Sequence, residues 1–255
     1  MNLLEVNGLS FDYGAGPLIS GLSFSAAAGD FVCVLGPNGC GKSTLLKLLT
    51  GYLKAAPGAV RLSGEDVSRL GSARLARLAA YVPSEIETPY DFSVRETVLM
   101  GRLSRSGPWR GYGPEDAAAA DSAMAETGVA ALAGRSIVTL SSGERQLVFI
   151  AQALAQEAGL LLLDEPTSHL DVRYKSDIMA LLARLAGKGL AVAAVLHEPA
   201  LAAMGCTKAL LMERGGRYSF GPSSEMLSAA RLAAAYGLPE GSPLLAALAS
   251  RRPPC

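Results

Sequence analysis

The feature that most constrains this chain is an unbroken apolar run, Phe31-Val32-Cys33-Val34-Leu35, that stops at glycine and gives way to a helical pattern over Lys42 to Leu49. A run without polar alternation suits a strand buried on both faces. Strand, glycine-rich turn and helix together open a βαβ unit. The turn reads Gly36-Pro37-Asn38-Gly39-Cys40-Gly41-Lys42-Ser43-Thr44 and satisfies Gly-x-x-x-x-Gly-Lys-Ser/Thr. Glycines let the backbone turn its N–H groups inward around an anion without Cβ clashes. The helix behind them aims its positive end at the same point. Lys42 would then supply a point charge to the β- and γ-phosphates of a nucleotide, and the Ser43 hydroxyl can ligate Mg²⁺.

A second apolar run, Leu160 to Leu163, delivers two acids, Asp164 and Glu165, ahead of Pro166. The C-terminal edge of a parallel sheet is where α/β proteins place ligands. Charge at the end of a buried strand is costly unless something compensates it. Read alone, the pair is equally a strand-end turn with solvated acids. Beside the phosphate cradle, Asp164 would hold the metal's hydration shell and Glu165 would act as general base on an attacking water.

The rest of the chain bounds the alternatives. Lysine plus arginine equals aspartate plus glutamate at 23 each, so no global basic field points to nucleic acid. No apolar run approaches the ~20 residues of a membrane-spanning helix, and the N-terminus lacks the basic and apolar regions of a signal peptide. Cys33, Cys40, Cys206 and Cys255 form no CxxC pair, so neither a disulfide framework nor a zinc site is expected, and a reducing cytosol fits. Cys40, close to a helix N-terminus, is expected to have a lowered pKa, with alkylation inhibiting and nucleotide protecting.

Short apolar segments at Leu3 to Val6 and Leu22 to Phe24 predict an antiparallel β-layer before the cradle. An alanine-rich stretch from about Ser93 to Leu140 predicts a mostly helical insertion, its start marked by Ser93 and Glu96 as a capping box. Then follow helix Glu144 to Leu154, strand Leu160 to Leu163, helix Val172 to Leu185 and strand Leu190 to Leu196. A last strand near Ala209 to Met212 precedes a short amphipathic tail.

Leu140-Ser141-Ser142-Gly143-Glu144-Arg145-Gln146 opens the helix ahead of the acidic strand, and Ser168-His169-Leu170-Asp171 and His197 come after it. In that order, with the cradle, these segments resemble the signature, D-loop and switch histidine of ABC ATPases. The resemblance covers essentially the whole chain. It implies an α/β fold: a P-loop NTPase (ABC ATPase) core with an antiparallel β subdomain and a helical insertion. Residues 1–225 would be the ATPase domain, the insertion spanning about 85–142, and 226–255 a short helical tail. It implies ATP and Mg²⁺ as cofactors and a head-to-tail pair of subunits, each ATP lying between one cradle and the other subunit's Ser141, Ser142, Gly143 and Glu144. His197 would hold the γ-phosphate, Asp171 would link the two sites, and Tyr13 would stack on adenine, unless it is an ordinary strand tyrosine.

Three positions depart from the family pattern. Ser84 stands after Tyr81-Val82-Pro83 where glutamine is usual, so its part in holding the metal is in doubt, with Glu85 a substitute. Ser142 replaces the first signature glycine, and Glu198 follows the histidine where aspartate is common. Asp91 to Arg102 resembles the corresponding segment of iron-siderophore, haem and cobalamin importers. That implies an integral-membrane permease, an extracytoplasmic binding protein, no nucleic-acid partner, and a place on the cytoplasmic face of the membrane. A zinc or manganese importer, and a subunit that clamps ATP but hydrolyses it poorly, remain open.

Overall fold

The computed structural model describes residues 2–14, 16–85, 90–106 and 111–239. Strands β1 (Asn2–Asp12), β2 (Pro17–Ala27) and β3 (Phe31–Leu35) lead into helix α1 (Lys42–Leu49). There follow β4 (Val60–Leu62), β5 (Glu65–Asp66), α2 (Ser72–Leu78) and β6 (Ala79–Val82). The helical portion holds α3 (Val94–Leu99), α4 (Leu103–Ser106), α5 (Pro114–Thr127) and α6 (Ser142–Ala155). The chain closes with β7 (Leu160–Asp164), α7 (Val172–Gly187), β8 (Ala191–Val195), α8 (Pro199–Ala202), β9 (Lys208–Met212), β10 (Tyr218–Pro222), α9 (Ser223–Met226) and α10 (Ala229–Tyr236).

Two sheets result. One is antiparallel, ordered β2-β1-β4-β5; the other runs β10-β9-β3-β8-β7-β6, parallel except for β10 against β9. The apolar runs are explained by what lies on either side of this second sheet. Phe31, Cys33, Leu35, Leu161, Leu163, Val192 and Ala194 face one core, with the helical insertion and α7. Their alternates Val32, Val34, Leu160, Leu162, Ala191 and Ala193 face a second core, shared with α1 and the antiparallel layer. Both faces are covered, so both strand parities must be apolar. Each fully buried leucine contributes about 1.5–3 kcal/mol of transfer free energy.

The insertion is pinned by its own chemistry. Pro114 starts α5 at a position where its missing N–H costs nothing, and Gly128 ends it at φ 77°. Within the alanine-rich stretch the helix therefore ends at Thr127. Ser93 caps α3 as expected, its hydroxyl accepting from the Glu96 N–H while the Glu96 carboxylate accepts from the Ser93 N–H. A Cβ on Gly101 would lie 2.1 Å from the Gln152 carbonyl oxygen, so glycine permits this close packing against α6. Arg102, almost fully buried, donates to Asp116 (2.9 Å), to the Ala155 carbonyl (2.7 Å) and to Glu157 (2.7 Å). A buried guanidinium needs all such partners, and here they tie the insertion to the end of α6.

Two expectations are corrected. The last strand is β10, not Ala209 to Met212; its Gly221 and Pro222 disguise an edge strand. Cys33 and Cys206, 173 residues apart in sequence, are paired as a disulfide with Cα atoms 6.0 Å apart. The parallel β3–β9 pairing brings them together, which sequence spacing could not reveal. The tail contributes α10, whose Leu232 and Ala235 join the first core; residues 240–255, with Cys255, lie outside the described residues.

Candidate functional site

The turn from β3 to α1 is held open by glycines with left-handed backbones, φ 80° at Gly39 and 102° at Gly41. Gly36 is fixed by space: a Cβ there would lie 2.2 Å from the Met212 carbonyl oxygen. Lys42 is buried, and its ammonium donates to the Gly36 carbonyl at 2.8 Å and the Pro37 carbonyl at 3.1 Å. The cation thus spans its own loop. Asn38, Gly39, Gly41, Lys42, Ser43 and Thr44 line a groove of about 480 Å³ with Leu18, Glu165 and His197. Tyr13, 63% exposed, stands at the start of α1 with its hydroxyl 3.3 Å from the Thr44 Oγ1 and its ring edge-on to Phe11.

The acidic strand end meets this groove. Ser43 Oγ donates to Asp164 Oδ1 at 3.2 Å. Asp164 is 2% exposed, and burial pushes its carboxyl above the usual range, partly offset by the Ser43 hydrogen bond. Glu165 adopts φ 51°, a strained backbone for a non-glycine residue. This turns its side chain toward β8, where Oε1 lies 2.6 Å from His197 Nε2 and Oε2 accepts from Ser168 Oγ at 3.1 Å. A carboxylate gripped by a histidine on one oxygen and a hydroxyl on the other is aimed, not free to rotate. One hydroxyl beside one buried carboxylate, facing a cradle for phosphate oxygens, is the hard-oxygen donor set that suits Mg²⁺.

Cys40 departs from expectation. It is 2% exposed, and burial pushes its thiol up, outweighing the neighbouring Lys42 charge and the backbone hydrogen bonds. The loop presents backbone to the groove and turns this side chain into the second core. Ser84 is exposed and does not line the groove. Leu18, which lines the groove, and Tyr81 are neighbours of the site that motif reading missed. Tyr81 faces Asp164, and burial first, then that carboxylate, push its phenol up to about 12.

The signature residues sit elsewhere. Ser141 and Ser142 are exposed; Ser141 caps α6, accepting from the Glu144 N–H, while the Glu144 carboxylate accepts from the Ser141 N–H (2.9 Å) and hydroxyl (2.8 Å). Those bonds lower the Glu144 pKa. Gly143 is buried against the Tyr174 ring, so closely that a Cβ would sit 2.2 Å from it. Asp171 caps α7 through the Tyr174 N–H at 2.9 Å. None of these five residues lines the cradle groove.

Residues 19–168 match the family model for ABC transporters. The chain belongs to the ABC transporter family. ABC cassettes of this kind are transport ATPases, and this chain is one: it binds ATP. It is 41% identical over 239 residues to the hemin import ATP-binding protein of Streptomyces coelicolor, covering 93% of this chain and 84% of that one. The ferric enterobactin transport ATP-binding protein of Escherichia coli is 36% identical over 90% of this ABC ATPase and 85% of its own length. The cobalamin import ATP-binding protein of Halobacterium salinarum is 38% identical over 91% of this chain, which spans only 58% of that longer protein. Among solved structures, an inward-facing transporter described as of metal-chelate type superimposes with a TM-score of 0.83 at 33% identity, over 94% of this ABC ATPase and 90% of that chain.

Proposed function

We propose that this ATPase powers uptake of an iron-siderophore, haem or cobalamin-type substrate through a separate membrane permease, working as a pair of identical subunits on the cytoplasmic face. The observation that carries the pairing is the split just described. The cradle, the acids and His197 meet in one groove, while the exposed N-terminus of α6 with Ser141 and Ser142 is turned to the outside. A helix N-terminus is an anion site in waiting, and a second subunit's nucleotide is the natural anion. The substrate class rests on the names of the relatives, and an extracytoplasmic receptor would deliver the substrate. Among the described residues no helix is long and apolar enough to cross a membrane, which agrees with a separate permease.

In this reading the backbone of residues 36–44 and the Lys42 ammonium bind the triphosphate, and Tyr13 stacks on the base. Ser43 and Asp164 would hold Mg²⁺, whose chemistry is to neutralise β- and γ-phosphate charge. Glu165 takes the proton of the attacking water as general base. His197, bonded to Glu165, orients that carboxylate and reaches the γ-phosphate. Ser141 and Gly143 of the second subunit close the site, and Asp171 joins one site to the other. The domain division at residue 225, with the tail beyond it, belongs to the same proposal.

The test is Glu165→Gln. Hydrolysis is expected to fall about 10²–10⁴-fold while MgATP still binds, and the variant is expected to run as a two-chain species on a sizing column only with MgATP. Full hydrolysis, or a single-chain species under MgATP, would overturn the assignment.

A further inference from the structure

We propose that Ser168 is a positioning residue for the catalytic base, its hydroxyl fixing the plane of the Glu165 carboxylate; this rests on the general-base reading of Glu165 above. Its basis is the turn after β7. Pro166 has a ring-fixed φ, and the Ser168 N–H donates to the Glu165 carbonyl at 3.0 Å. That bond between residues three apart closes a tight turn, so the Ser168 Cα is held at a set place beside Glu165. The side chain repeats the closure, with Ser168 Oγ donating to Glu165 Oε2 at 3.1 Å. Glu165 itself enters the turn with φ 51°, a conformation that persists only where surrounding contacts over-determine it. The two bonds from Ser168 are such contacts.

A glutamate carboxylate lies at the end of three side-chain torsions, and a single hydrogen bond leaves it free to swivel. His197 Nε2 meets Oε1 at 2.6 Å and Ser168 meets Oε2, so two holds on two oxygens define the plane. The holds are also joined to each other. Asp171 caps α7 through the Tyr174 N–H, and Lys175 in the same first turn pairs with Glu198, the residue after His197. A closed ring of contacts runs from Glu165 through Ser168, the start of α7 and Glu198 to His197, and back to Glu165. The Lys175–Glu198 pair is partly exposed and adds little energy; its part is geometric, keeping the start of α7 in register with the histidine. The aim of the base is therefore set by the same segment, 168–171, that meets the second subunit in the proposed pair.

The test uses the full chain with Ser168→Ala, which removes the hydroxyl, and Ser168→Thr, which keeps it. ATP hydrolysis is followed with kcat and KM separated, alongside titration of a fluorescent ATP analogue in the presence of Mg²⁺. Expected for Ser168→Ala is a kcat lower by about tenfold, a fraction of the 10²–10⁴-fold that a general base contributes, with KM and analogue affinity unchanged. Ser168→Thr is expected to keep most of the rate. Combining Ser168→Ala with Glu165→Gln is expected to cost no more than Glu165→Gln alone, because a residue that acts through another then has nothing left to position. If Glu165→Gln hydrolyses at the full rate, the general-base reading itself fails. If Glu165→Gln is slow while Ser168→Ala keeps its full kcat, only this inference falls. It falls equally if the two losses multiply in the double variant, if threonine restores no rate, or if analogue affinity drops with the rate, because Ser168 would then be merely structural.

Discussion

Two capping boxes in this molecule are chemically alike and functionally unlike. Ser93 with Glu96 starts α3, and Ser141 with Glu144 starts α6; in both, the serine hydroxyl takes the N3 amide and the glutamate takes the serine amide. Ser93 leads into the insertion's packing, with Val94, Thr97 and Val98 buried just behind it. Ser141 is followed by an exposed Ser142 and a Gly143 whose lack of a side chain is required by the Tyr174 ring. The same local device therefore serves stability at one site and presents a helix end outward at the other. A cap motif identifies a helix start, and what surrounds the start decides whether it has any further use.

The strongest way to break that contrast is to ask which chain α6 serves. Lys42→Ala and Ser141→Arg are each expected to lower ATPase activity by about 10²-fold or more, since one removes the phosphate cation and the other blocks the helix end. Mixed in equal amounts with the permease, they are expected to recover roughly a quarter of unsubstituted activity, because half of the pairs are mixed and each mixed pair has one intact site. Recovery absent from the mixture would mean that cradle and signature act within one chain.

The contrast is sharpened by treating the two serines identically. Ser93→Ala and Ser141→Ala are each expected to cost about 1 kcal/mol, the usual worth of an N-cap, seen as a melting shift of about 2–4 °C for a chain of this size. Only Ser141→Ala should also lose ATPase activity. Equal activity in the two variants would reduce Ser141 to an ordinary cap.

What the sequence disclosed follows the same division. β3, β7 and β8 were legible because both faces of the sheet are buried, so Phe31 to Leu35 and Leu160 to Leu163 carry no polar interruption. Their ends lead to the cradle, the acids and His197, and the groove was legible with them. β4 and β5 are too short, and β10 too rich in glycine and proline, to leave a pattern. Side-chain direction within the loop was not legible either. Proximity of Cys40 to a helix start suggested a lowered thiol, whereas its side chain turns inward. Tyr81 was hidden because its place on the Asp164 face of the sheet comes from the β6–β7 register, which no single segment records.

Cys40 gives the smallest and most local test. Burial holds its native pKa above the ordinary thiol value, so between those two values the unfolded chain has lost a proton that the folded chain still carries. Stability must then fall as pH rises through that window, and the group adds no pH dependence below it. In a Cys255→Ser background, alkylation of the native protein near neutral pH is expected to be at least about tenfold slower than in denaturant, because a buried neutral thiol must await local opening before it reacts. MgATP should slow it further by tying down the loop. Equal rates in the folded and denatured protein would mean that the thiol faces the groove after all, and that the loop presents a side chain where only backbone is expected to meet the phosphates.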